Sequence, residues 1–177
     1  MATQLLKPEK LPDYSAITQS MRIISSAAYA AFNVFDEEGR GFTTVALEGL
    51  GSAMDLVSKW LGFHPVGKHW AYDPKREARM AEDDITAYNT LEELMHGHVP
   101  GAVLQKIAQY FGLGRVYLVK VQTPNHIIGD FTLFLRKNEQ LFDETMIRVF
   151  ARQVGLFMEK QKAELALKRE VEDNKRA

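Results

Sequence analysis

Two β-hairpin patterns, separated by a long stretch of helical character, constrain this chain more than any other feature. Tyr29 to Phe35 is aromatic and β-branched, Phe42 to Leu47 answers it, and Glu37-Glu38-Gly39-Arg40-Gly41 between them is a turn. Arg115 to Val121 and Ile127 to Leu135 repeat the arrangement across the linker Gln122 to His126. Short polar or glycine-containing connections between such runs make antiparallel pairs. Hairpins with a helical excursion between them predict an α+β fold around one central antiparallel sheet.

Both ends of the chain supply helices for that sheet. From Asp13 to Ala28 the apolar residues Tyr14, Ile17, Met21, Ile24 and Ala28 recur three or four apart, with Asp13 or Ser15 placed to cap. A long helix is predicted from Asp143 to about Asn174, interrupted by no proline. Its first half carries Met146, Ile147, Val149, Phe150, Val154, Leu156, Phe157 and Met158, and its second half is charged. The first half is expected to pack on the sheet beside the N-terminal helix, and the second to leave the domain. This divides the chain into an irregular leader (1–12), a folded domain (13–158) and a charged, coiled-coil-like helix (159–177). Val149, Leu156 and Ala163 are seven apart and Leu167 follows four later, a thin seam suited to pairing with a second copy.

The middle, Gly62 to Pro100, is the least regular part. It is expected to hold a short strand within His64–Tyr72, a charged helix over Pro74–Asp83, an extended piece at Ile85–Tyr88 and a helical turn at Thr90–Met95. An amphipathic helix over Ala102–Phe111 follows, ended by Gly112. Phe63, His64, Trp70, Tyr72, Tyr88, Met95 and His98 concentrate aromatic and polar-tipped side chains in this cover. An apolar hollow with a few polar tips is what a small-molecule pocket needs, but closure of a core under the loops is the reading these residues favour by themselves.

Composition narrows the chemistry. There is no cysteine, which removes disulfides, thiolate-held zinc, iron–sulfur clusters, cysteine nucleophiles and thioether-linked chromophores. Lys and Arg number 22 against 23 Asp and Glu, so no electrostatic footprint for nucleic acid or an anionic membrane exists. No apolar run reaches the length of a membrane span, and the N-terminus lacks the layout of a secretion signal, so a soluble cytoplasmic protein is expected.

Catalytic and metal motifs are not found. Gly49-Leu-Gly51-Ser-Ala-Met54 superficially has the spacing of a dinucleotide loop. Met54 stands where a small residue is needed, however, and the preceding strand belongs to a hairpin. His96 and His98 lack a carboxylate at i+3 or i+4 to complete a metal set. The segment Met95–Pro100 lacks the acidic and basic neighbours of a phospho-accepting histidine, and no glycine-rich ATP lid follows. The acid pairs Asp83-Asp84 and Glu92-Glu93 read as solvated helix ends. The expectation is a chain with no enzymatic activity, no catalytic residues and no metal.

The order of parts resembles a known family. Ile127-Ile-Gly-Asp-Phe-Thr-Leu-Phe-Leu135, a polar turn, Leu141-Phe-Asp-Glu144, then Phe150-Ala-Arg-Gln-Val-Gly-Leu-Phe157 and a Lys/Glu-rich helix resemble the closing third of a GAF domain. The hairpin Ala27 to Leu47 and the N-terminal helix suit it too. The likeness is greatest to GAF domains at the front of prokaryotic sensor histidine kinases. It implies a GAF/PAS-like sheet of about six antiparallel strands, with the terminal helices on one face and an irregular cover on the other. It further implies a signal-sensing module that binds a small molecule, forms a homodimer and relays through its C-terminal helix to a kinase or PAS-type module. The covalent bilin class of that family needs a cysteine that is missing here. Asn138 and Phe142-Asp-Glu144 do not reproduce the cyclic-nucleotide pattern, so no cofactor is named. The alternative is a dimerisation adaptor with a vestigial pocket.

Overall fold

The computed structural model describes residues 12–176, so the predicted leader lies almost wholly outside the described residues. Six antiparallel strands form one sheet in the order β3-β2-β1-β6-β5-β4. They are β1 (Tyr29–Phe35), β2 (Phe42–Glu48), β3 (His69–Trp70), β4 (Ile85–Tyr88), β5 (Leu113–Gln122) and β6 (Ile127–Arg136). The two predicted hairpins, β1–β2 and β5–β6, are joined side by side through β1 and β6, with Phe32 opposite Phe131.

Helix α1 (Tyr14–Ser25) starts where Asp13 accepts a hydrogen bond from the Ala16 N–H at 3.0 Å. It stops three residues before the predicted end. Ser26 turns into the left-handed region at φ 59°, and the Ala28 N–H already donates to the Phe134 carbonyl as part of the sheet. Ladder formation thus wins over the helical pattern at Ala28. Three of the cover helices lie close to their expected places: α2 (Met54–Leu61, after a 3-10 turn at Gly51–Ala53), α3 (Pro74–Glu82) and α4 (Leu91–Met95). So does α5 (Gly101–Phe111). The strand expected within His64–Tyr72 shrinks to two residues, because Pro65–Lys68 closes a turn whose Gly67 N–H donates to the Thr44 carbonyl at 2.7 Å.

Side-chain alternation sorts the strands onto two cores. Phe32, Phe131, Leu133, Val119 and Val121 pack against Ile17 and Met21 of α1 and against Ile147, Phe150, Val154 and Phe157 of α6 (Glu144–Arg176). On the other face Val116, Leu118, Phe42 and Trp70 meet Val57, Met80, Leu91, Leu104 and Ile107 of the cover. A bulge in β2 adjusts this. Ala46 pairs with Phe32 but Thr44 pairs with Asn33, leaving Val45 as an extra residue. Thr44 and Leu47, three apart, thereby reach the same face.

Close backbone approach depends on glycine at two places. A Cβ on Gly129 would stand 2.3 Å from the Asn33 carbonyl oxygen, and one on Gly155 2.4 Å from the Gln122 carbonyl oxygen. Gly155 therefore sets how closely α6 lies on the end of β5. Gly155→Val is expected to cost about 1–3 kcal/mol through overpacking, read as a lower urea midpoint at unchanged slope. A midpoint equal to that of the parent protein would show that the helix is not seated there.

Candidate functional site

A cavity of about 130 Å³ lies between the cover face of the sheet and helices α2 to α5. Alternation along the central strands builds one wall: Tyr29, Ala31 and Asn33 from β1, and Thr132 and Phe134 from β6. Phe42, Thr44 and Leu47 of β2 extend it, and Leu50, Val57, Leu61, Leu91, Leu94, Leu104, Ile107 and Phe111 close the apolar remainder.

The polar groups are gathered at one end in a connected chain. Trp70 donates through Nε1 to Thr44 Oγ1 at 3.1 Å, and Thr44 donates to Asn33 Oδ1 at 2.7 Å. Asn33 Nδ2 donates to Asp130 Oδ1 at 2.8 Å and to Thr132 Oγ1 at 3.1 Å. Arg76, in the first turn of α3, closes the chain with both Asp130 oxygens, at 3.0 and 2.9 Å from one guanidinium nitrogen. The guanidinium also lies over the Phe42 ring at 4.2 Å. Asp130 is fully buried, and that burial pushes its carboxyl above the usual range against the pull of Arg76 and Asn33.

Helix α3 is held in place from its own start. Proline at the first position and Asp73 at the cap are good helix-initiating chemistry, and Asp73 Oδ1 accepts from the Lys75 and Arg76 amides. Its other oxygen meets His98 Nε2 at 3.0 Å. Burial raises the Asp73 carboxyl, but the His98 contact and the two amides outweigh it and hold the group below its ordinary value. The ion pair to Asp130 and the Asp73–His98 bond thus tie the cover to the sheet and to the loop after α4.

Of the side chains singled out from the sequence, Trp70, Met95 and His98 line the cavity. Phe63 is outside the wall and supports Trp70 edge-to-face at 5.7 Å. Tyr88 is buried in the same apolar cluster on β4, under the Arg79 guanidinium at 4.1 Å, but does not reach the cavity. His64 is exposed and accepts from the Val66 N–H at 3.1 Å, and Tyr72 is exposed as well. Asn33, Thr44, Asp130, Thr132 and Arg76 were not singled out. The available signal was polar residues spaced two apart in strands otherwise apolar on both faces: Asn33 in β1, and Asp130 and Thr132 in β6.

Along α6, Val149, Leu156, Ala163 and Leu167 are all exposed, together with Met146 and Val171. Gln161 is the last buried residue of this helix, three positions beyond the predicted domain end at Met158. Among the described residues no three His, Asp or Glu side chains converge as a metal site, and no helix is long and apolar enough to cross a membrane.

No family model matches the sequence, and no curated protein does. Solved structures do share the fold. A domain assigned to a two-component sensor histidine kinase protein from Sinorhizobium meliloti aligns at TM-score 0.59 and 18% identity, covering 88% of this chain and 94% of that one. The GAF domain/HD domain protein from Geobacter sulfurreducens aligns at 0.58 and 14%, covering 83% and 90%. The GAF domain of the cyanobacteriochrome TePixJ, from Thermosynechococcus elongatus, aligns at 0.59 and 13%, covering 89% and 96%. With its six antiparallel strands, two terminal helices on one face and a helical cover on the other, this chain has the fold of the GAF domains found in sensor kinases and photoreceptors.

Proposed function

We propose that this chain is a cytoplasmic signal-sensing module, the input domain of a sensor histidine kinase, that binds a small molecule under its cover and relays the change through α6. The observation that carries the reading is the shared wall. Asn33 and Thr132 face the cavity, while Phe32 and Phe131, their immediate neighbours in the chain, face α1 and α6. A ligand that binds one arrangement of the sheet better than another shifts that equilibrium by its differential affinity. Any such shift is felt on both faces, because strand alternation couples them. In this reading the chain has no catalytic step of its own. A broad metabolite screen by thermal shift is expected to yield stabilisers, and hydrogen exchange in α6 is expected to change when one is bound. If no compound raises the melting temperature, sensing is wrong.

The output element in this reading is a paired α6. Val149, Leu156, Ala163 and Leu167 form an exposed stripe on a helix that is exposed at every residue from Ala166 to Arg176. An isolated charged helix of that length is marginal in water, and burying the stripe against a second copy removes the problem. Light scattering is expected to show a concentration-dependent dimer for residues 1–177 and a monomer for a chain ending at Glu159. Two monomers would remove pairing through the tail.

A further inference from the structure

Resting on the sensor reading above, the geometry points to the class of molecule this cavity takes: a compact, neutral, single-ring compound with one hydrogen-bond acceptor, such as an aryl ketone or aldehyde. Three observations carry this.

The first is size. The cavity holds about 130 Å³, whereas an engineered apolar cavity of about 150 Å³ is filled by benzene. A nucleotide or a tetrapyrrole would have to extend beyond the space beneath the cover. The second is lining. Beyond the polar chain the wall is mostly leucines, Val57, Ile107 and aromatic rings, and its other polar members, Asp73 and His98, are bonded to each other.

The third is which hydrogen-bonding capacity remains. Every acceptor in the polar chain already takes at least one hydrogen bond: Thr44 Oγ1, Asn33 Oδ1, Thr132 Oγ1 and both Asp130 oxygens. One hydroxyl of the wall has donor capacity to spare: Thr132 accepts from Asn33, and among the described residues it donates to no partner. A hydroxyl proton with no partner, beside oxygens that are each already engaged once, favours a ligand acceptor, because a buried donor left unmade is costly.

Charge is selected against from both sides. Arg76 is already neutralised by Asp130, so an anion entering here would meet a buried carboxylate beside the guanidinium. A cation would have to displace His98 and the Lys75 and Arg76 amides from Asp73 to find a carboxylate here. Either ion would lose its hydration in an apolar hollow.

The test is calorimetric titration of the full chain with acetophenone, ethylbenzene, benzoate, cyclic GMP and biliverdin, in parallel with the thermal screen. Acetophenone is expected to bind roughly tenfold more tightly than ethylbenzene, the effect of one hydrogen bond, with benzoate, cyclic GMP and biliverdin not binding. Thr132→Val is expected to bring acetophenone down to the affinity of ethylbenzene while leaving ethylbenzene unchanged, which also certifies that the variant is folded. Equal binding of acetophenone and ethylbenzene, or an unaltered acetophenone affinity in T132V, overturns the acceptor assignment. Tighter binding of benzoate, cyclic GMP or biliverdin overturns the ligand class while leaving the sensor reading intact. If the thermal screen and the titrations both find no binder, the inference and the sensor reading fall together.

Discussion

Arg76→Met is expected to destabilise the domain by about 3–5 kcal/mol, the usual consequence of leaving a buried charge without its partner. Asp130 has no solvent exposure, and Arg76 supplies two of its three hydrogen bonds. For a domain of this size the loss corresponds to a fall in melting temperature of roughly 6–20 °C. The effect has a pH signature. Without Arg76, burial raises the Asp130 carboxyl further above its unfolded value, so the folded state binds more protons than the unfolded one. Stability of the variant then rises as pH falls through that raised value, and the deficit relative to the parent protein shrinks in mild acid. A second substitution separates charge from packing: R76M/D130L, which removes both ions, is expected to regain most of the lost stability. Chemical unfolding of the three proteins at pH 8 and pH 5 checks all of this. An R76M midpoint within experimental error of the parent would mean that the ion pair does not hold the cover to the sheet.

Phe131→Ala is expected to cost about 3–5 kcal/mol, as for large-to-small changes at fully buried aromatic sites. Phe131 is inaccessible to solvent, stacks on Phe32 with ring centroids 4.5 Å apart and reaches Phe150 of α6 at 6.4 Å. The change opens a hole between the central strands and α6 while Thr132, next to it in sequence, still faces the cavity. Equilibrium unfolding measures the cost. Hydrogen exchange is expected to rise over Ile147 to Phe157 before it rises in the cover. Leu167→Ala, at a position 61% exposed, serves as the comparison, and a surface change of that kind stays within about 0.5 kcal/mol in the monomer. A Phe131→Ala protein as stable as the Leu167→Ala protein would show that the aromatic stack is not central to the core.

Most of the architecture was legible because it rests on local periodicity. Phe32, Phe131, Leu133 and Leu135 alternate, Ile17 and Met21 recur at helical spacing, and Asp13, Asp73 and Thr90 stand where helices begin. The candidate site was legible only in part. Trp70, Met95 and His98 were found because aromatic and polar-tipped residues cluster in the irregular cover. Phe63, His64, Tyr72 and Tyr88 belong to the same cluster but lie outside the cavity wall, since composition does not tell which side of a turn a residue faces. Asn33, Thr44, Asp130 and Thr132 were passed over because they sit within strands whose dominant character is apolar. Their polarity becomes informative only once β1, β2 and β6 are adjacent.

The amino-acid order by itself determined the hairpins, the terminal helices, the absence of cysteine chemistry and the order of elements that resembles a GAF domain. These depend on neighbours a few residues apart, where spacing and turn chemistry decide the outcome. Only the tertiary structure decided that Arg76, Asn33 and Asp130 would meet, and that the bulge at Val45 would turn Thr44 and Leu47 to one face. It also decided how little room remains between cover and sheet. Those outcomes depend on strand pairing across up to about a hundred residues of sequence, and no local pattern encodes the distance between two side chains that the chain brings together only by folding.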